Sequence, residues 1–319
     1  MKKPLIILTG PTAVGKTAIS IQLAKAVGGE IISADSMQIY KYMDVGTAKI
    51  MPDEMEGVPH HLIDEITPDT PFHVYEFKKM AQAAMEQIYE RGHIPIVTGG
   101  TGFYIQALLY DVDFCDEPAD HAYRRELTEL AEKKGAAYLH DMLRGVDERS
   151  AQDIHPHNIK RVIRALEYFH DNGVPISVHN AEQREKQSPY DFLYLVLTMD
   201  RQKLYARINE RVDQMVRDGL FEETERLLSK GYTQDLVSMQ AIGYKELFPF
   251  FAGTVTKEEA IEQLKKDTRH FAKRQLTWFR RERDVTLINK DEFESDDAVV
   301  REILSLAERK LNLGRKGEL

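Results

Sequence analysis

The stretch GPTAVGKT, residues 10–17, constrains this chain more than any other. It follows the apolar run LIIL at 5–8 and precedes a helical pattern over 17–27, so the spacing G-x-x-x-x-G-K-[ST] falls between a strand and a helix. Gly10, Pro11, Thr12, Ala13, Val14 and Gly15 form a turn whose backbone N–H groups can converge on phosphate oxygens. The helix that follows adds the positive end of its dipole. Lys16 supplies a point charge, and the Thr17 hydroxyl is a ligand for a Mg²⁺ ion bridging phosphates. Phosphate binding follows from the residues; the identity of the phosphorylated compound does not.

Downstream, short apolar runs alternate with helical periods: EIISA at 30–34, a helix over 75–91, IPIVT at 94–98, then GGTG and another helix. This rhythm predicts an α/β fold, a P-loop NTPase-like parallel sheet flanked by helices. Apolar runs then vanish and helical patterning takes over, most clearly over 158–172, where Ile159, Val162, Ile163, Leu166 and Phe169 share a stripe. FLYLVLT at 192–198 returns as a buried strand. Helices are expected at 201–218, 220–230, 257–282 and 296–311, with a last strand at 285–288 and a fraying tail after it. The expected organisation is a discontinuous core, 1–115 and 190–319, with a helical insertion domain at 116–189.

Composition narrows the partners. The net charge is −9, so a nucleic acid would have to meet a local basic face. Such a face is present in the sequence: Lys265, Lys266, Arg269, Lys273, Arg274, Arg280, Arg281 and Arg283 stand against only Asp267 and Glu282. In helical projection Ile261, Leu264, Phe271, Ala272, Leu276 and Phe279 form the apolar arc, and Lys266, Lys273, Arg280 and Arg281 lie opposite. Lys160, Arg161 and Arg164 likewise project away from the stripe of the 158–172 helix. The lone Cys115 permits no intramolecular disulfide and no cysteine zinc site. MKKPLIIL starts like a signal peptide, but its apolar run is too short for one, and no run approaches membrane-spanning length. The expectation is a cytoplasmic protein with no membrane partner.

A kinase would hold Mg²⁺ with an acid at the end of a second strand. The strand at 94–98 ends in GGTG and carries none, whereas the strand at 30–34 leads into Asp35, Ser36, Met37 and Gln38. An acid beside Ser and Gln at a strand's carboxyl end suits a planar polar acceptor, although Asp35 alone is as readily a turn residue. The pairs His60–His61 and His155/His157 lack companion acids at ligand spacing and are read as hydrogen-bonding side chains. Trp278 suits either stacking on a nucleobase or packing.

Taken in order, GPTAVGKT, DSMQIYK (35–41), MDVGTAK (43–49), PHHLID (59–64), GGTGFYIQALL (99–109), KRVIRALE (160–167), AIGYKE (241–246) and KRQLTWFR (273–280) resemble the tRNA dimethylallyltransferases, the isopentenyltransferase family, over nearly the whole chain. The lone cysteine leaves no zinc finger of the eukaryotic kind, so the resemblance is to the bacterial type. It implies that the cradle holds the diphosphate of dimethylallyl diphosphate, with Mg²⁺ as cofactor; the ATP-binding label such loops attract comes from the fold. It implies transfer of the dimethylallyl group to the N6 amine of the adenosine 3′ of the anticodon, in tRNAs reading codons that begin with U. Asp35 would be the general base, with Thr101, Lys16 and Arg211 completing the catalytic set and Arg207 as runner-up to Arg211. Contacts to the tRNA anticodon stem-loop would come from Asp35, Ser36, Met37, Gln38, Thr101, Tyr123, Lys160, Arg161, Val162, Ile163, Arg164, Gly243, Tyr244, Lys245, Lys273, Arg274, Gln275 and Arg280. A monomer is expected. The competing readings are a P-loop kinase of a nucleotide or small metabolite, a prenyltransferase acting on free adenine nucleotide, and a non-catalytic RNA-binding module.

Overall fold

The computed structural model describes residues 2–114 and 122–311; Cys115 and the expected fraying tail lie outside them. The chain divides into two compact units, residues 1–109 with 189–319, and residues 110–188.

In the first unit β1 (Lys3–Thr9) leads through the glycine-rich loop into α1 (Lys16–Val27). Next come β2 (Gly29–Ser33), the two-residue β3 (His60–His61), α2 (Val74–Glu90), β4 (Ile94–Gly99) and α3 (Gly102–Leu109). The second unit holds α4 (Ala122–Lys134), α5 (Ala136–Val146), α6 (Glu148–Asp153), α7 (Ile159–Asn172) and α8 (Ile176–Glu185). The chain then returns to the first unit with β5 (Tyr190–Thr198), α9 (Arg201–Arg217), α10 (Leu220–Ser229), the single turn α11 (Phe248–Phe251), α12 (Lys257–Phe279), β6 (Val285–Asn289) and α13 (Asp296–Leu311).

All six strands run parallel, in the order β3-β2-β4-β1-β5-β6. Parallel strands need crossovers that cover both sheet faces, which is why β1 and β5 read as continuous apolar runs. Leu5, Ile6, Ile7 and Leu8 are all buried. Ile6 and Leu8 share one core with Leu193, Leu195 and Leu197 of β5, Ile19 and Leu23 of α1, and Ile303 of α13. A second cluster joins Val212 of α9, Leu220 and Phe221 of α10, and Ala260 and Leu264 of α12. The insertion unit has its own core, in which Leu139 and Leu143 of α5 meet Val162, Ile163 and Leu166 of α7.

β3 was not foreseen: two residues are too short for any periodicity, and His60 and His61 are strand only because Ile31 and Ile32 pair with them.

Candidate active site

The carboxyl ends of β1, β2 and β4 converge, as ligand sites in parallel sheets do. The loop after β1 turns at Gly15, whose φ of 97° is the left-handed conformation that glycine tolerates best. Ala13 takes φ 64° in the same loop, where Arg207 Nε of α9 donates to its carbonyl at 2.9 Å. Lys16 Nζ donates to the carbonyls of Gly10 (3.0 Å) and Pro11 (2.9 Å). Burial, and then the positive charge of Arg211, bring the Lys16 ammonium down to about 8. Burial also lowers Arg211, with Arg207 adding to it and Asp35 opposing. Both cations are half-buried and line one cavity, an arrangement that can receive an anion.

Beyond β2, Asp35 Oδ1 accepts from the Met37 N–H at 2.9 Å. The Thr101 hydroxyl oxygen accepts from Ser36 N–H at 3.2 Å, and Thr101 N–H donates to the Ala34 carbonyl at 3.1 Å. The loops after β2 and β4 are thereby clamped together, with Asp35 and Thr101 on one wall.

Two adjoining cavities share Thr12, Ala13, Asp35, Thr47, Arg211 and Phe271 in their linings. The smaller, about 120 Å³, is polar and holds Lys16, Thr17, Ser20, Ser33 and His60. The larger, about 280 Å³, adds Thr101 and the apolar side chains Ile208, Val212, Met215, Ile242 and Leu264. The first is lined mainly by polar and charged groups and the second by more apolar ones, and Asp35 and Arg211 stand where they meet. Arg211 thus lines the cavities while Arg207 braces the loop backbone.

Several expected contacts change role. Tyr244 is fully buried, its hydroxyl donating to Glu223 at 2.7 Å, so its side chain presents nothing to a nucleic acid. Val162 and Ile163 belong to the core of the insertion unit, because they lie on the apolar stripe of α7. Gln275 is buried: Thr12 N–H donates to its Oε1 at 2.9 Å and its Nε2 donates to Gly100 O at 3.0 Å, a brace between the phosphate loop and the loop after β4. Gln38 accepts from Ser33 Oγ at 3.2 Å, donates to Ala48 O at 3.2 Å and lines the smaller cavity.

Ser36 and Met37 line the larger cavity, as do Gly243 and Arg274. Lys160, Arg161, Lys273 and Arg280 are exposed, and Arg164 is half-buried. Lys245 lies 3.7 Å from Glu246, and Tyr123 stacks on His170. His60 Nδ1–H donates to the Val58 carbonyl at 2.8 Å.

Sequence reasoning missed Glu223. Fully buried on α10, it accepts from the N–H groups of Asp44 (3.0 Å), Val45 (2.9 Å) and Gly46 (3.0 Å) and so fixes the loop that carries Gly46 and Thr47 into the cavity wall. Its neighbours in sequence are the polar and charged residues of an ordinary amphipathic helix, and nothing in the pattern marks it.

Fold and site define an α/β protein whose glycine-rich loop after β1 borders a polar cavity that opens onto an apolar chamber beside a carboxylate. The chain belongs to the IPP transferase family, whose model matches residues 38–282. It is 54% identical to the tRNA dimethylallyltransferase of Lachnoclostridium phytofermentans, over 97% of this chain and 98% of the relative. Among solved structures it is similar to the tRNA isopentenylpyrophosphate transferase of Bacillus halodurans, at 44% identity and TM-score 0.74 over 98% of this chain and 97% of that one. A eukaryotic dimethylallyltransferase solved acting on tRNA superposes with TM-score 0.84 at 31% identity, over 99% of this chain and 81% of that one.

Proposed function

We infer that the chain transfers a dimethylallyl group from dimethylallyl diphosphate to the N6 amine of the adenosine immediately 3′ of the anticodon, in tRNAs that read codons beginning with U. The observation that carries this is the pairing of cavities. A cationic nest built by Lys16 and Arg211 adjoins an apolar chamber, and Asp35 and Thr101 stand beside it.

In this reading the diphosphate lies on the loop N–H groups, Lys16 and Arg211, and the hydrocarbon lies among Ile208, Val212, Met215, Ile242 and Leu264. Among the described residues no cluster of three or more His, Cys, Asp or Glu could cage a metal. The Thr17 hydroxyl at the polar cavity suits Mg²⁺ held by one hydroxyl and substrate phosphates, since this ion keeps its waters and binds through few protein groups. Thr17 would hold it, and it would neutralise charge on the departing diphosphate.

The adenine amine is a weak nucleophile because its lone pair is delocalised into the ring. As the N6–C1 bond forms and the C1–O bond breaks, Asp35 takes the amine proton and diphosphate leaves with the electron pair of the broken bond. Thr101 aligns the base, its oxygen already oriented by Ser36 N–H. Extruding the adenine from a loop costs a few kcal/mol, which phosphate contacts offset. Those contacts would come from Lys273, Arg274 and Arg280, and from Tyr123, Lys160, Arg161 and Arg164 on the insertion unit. No helix among the described residues is long and apolar enough to cross a membrane; a cytoplasmic monomer suits the reading.

The test supplies labelled dimethylallyl diphosphate with unmodified tRNA, free AMP and ATP in parallel. Label on the tRNA, with ATP untouched, is the expected result. Label on AMP would make the chain a prenyltransferase of free nucleotides, and ATP consumption would restore the kinase.

A further inference from the structure

Thr101 and Arg274 both line the chamber, and each continues outward into an aromatic residue. Phe103 lies two residues beyond Thr101, at the start of α3. Trp278 lies one helical turn beyond Arg274 on α12, on the face that also carries Phe271. The two rings meet edge to face, centroids 6.3 Å apart and planes at 70°. Phe103 is 43% and Trp278 38% exposed, so much of each ring faces solvent.

The indole is held in place. A Cβ on Gly102 would stand 2.2 Å from Trp278 Cδ1, so the absence of a side chain there admits the ring. Lys273 and Arg274 on α12, and Arg280 and Arg281 just past its end, are exposed. An aromatic surface within a cationic strip, two residues from the Thr101 that aligns the adenine, suits a second base on the same strand.

We propose that Trp278, with Phe103 against its edge, is the stacking wall for the nucleobase adjacent to the extruded adenine. This rests on the tRNA prenyltransferase reading. The wall recognises a π-face rather than a hydrogen-bonding pattern, so it tolerates any base and fails for a nucleotide without one. It also holds the strand splayed while its neighbour lies against Thr101.

Trp278 is the only tryptophan of the chain, so the unmodified protein reports on itself. An anticodon stem-loop titrated into it should quench the indole emission along the same curve as binding measured by anisotropy. Replacing the nucleotide on one side of the target adenosine with an abasic one should abolish the quench and weaken binding about tenfold. Trp278→Ala should bind the intact and abasic loops equally weakly, and Trp278→Phe should recover most of the difference. Binding without quenching, or an abasic penalty undiminished in Trp278→Ala, overturns the wall and leaves the prenyltransferase standing. No stem-loop binding at all overturns both.

Discussion

The two ends of the central sheet treat buried charge in opposite ways. At the amino end Glu30 has a side chain only 2% exposed. Arg91 grips it through Nε at 2.8 Å and Nη2 at 2.7 Å, and His61 and His93 each donate at 2.7 Å. The Arg91 hydrogen bonds foremost, against the cost of burial, hold Glu30 down at about 2. At the carboxyl end Lys16 and Arg211 line one cavity, and Lys16 donates only to backbone carbonyls of its own loop. A buried charge that the chain neutralises is architecture; a pair of like charges facing a cavity is a receptor whose partner comes from outside.

The sharpest break of that contrast is at Asp35. Asp35→Asn keeps the shape of the wall and removes the proton acceptor, so kcat should fall about 10²–10⁴-fold while donor and tRNA dissociation constants hold. Single-turnover transfer at the wild-type rate would remove Asp35 from this role.

A smaller effect tests the carboxyl-end receptor through pH. Lys16 loses its proton near 8 in the free protein, and a bound diphosphate raises that value, so binding takes up a proton at higher pH. Donor affinity should therefore weaken above about pH 8, by up to about tenfold per pH unit. In Lys16→Arg, whose guanidinium stays charged, this dependence should flatten. A pH-independent wild-type affinity across that range would contradict the assignment.

The smallest effect on catalysis belongs to the amino end. Glu30→Gln should leave transfer at neutral pH near wild type and lower stability by about 1–3 kcal/mol. A carboxylate lowered from 4.5 to about 2 contributes stability that is full above the unfolded value and is lost as pH falls toward the folded one. The variant's acid-unfolding curve should accordingly be shallower between those limits. A large loss of turnover with stability intact would mean that the two ends of the sheet are not separate in function.

Legibility in the sequence followed range of interaction. The loop GPTAVGKT, the strands β1, β4 and β5 and the helices α1, α7, α9 and α12 are written locally, in glycine spacing and in periods of two and 3.6. The positions of Asp35 and Thr101 after their strands were legible for the same reason. The role of Gln275 was not, because its partners Thr12 and Gly100 are distant in the chain. Nor was the choice between Arg211 and Arg207: both lie on α9 one turn apart, and only packing against the loop assigns one to the cavity and the other to a carbonyl.

By itself, then, the order of residues determined a parallel α/β sheet with a glycine-rich loop at its carboxyl edge, because backbone geometry and side-chain period are encoded over a few neighbours. Tertiary structure alone decided that this loop adjoins an apolar chamber, that Glu223 secures one wall of it, and that Tyr244 faces inward. Those facts depend on which distant segments touch, and contact across the chain is a property of the packed whole.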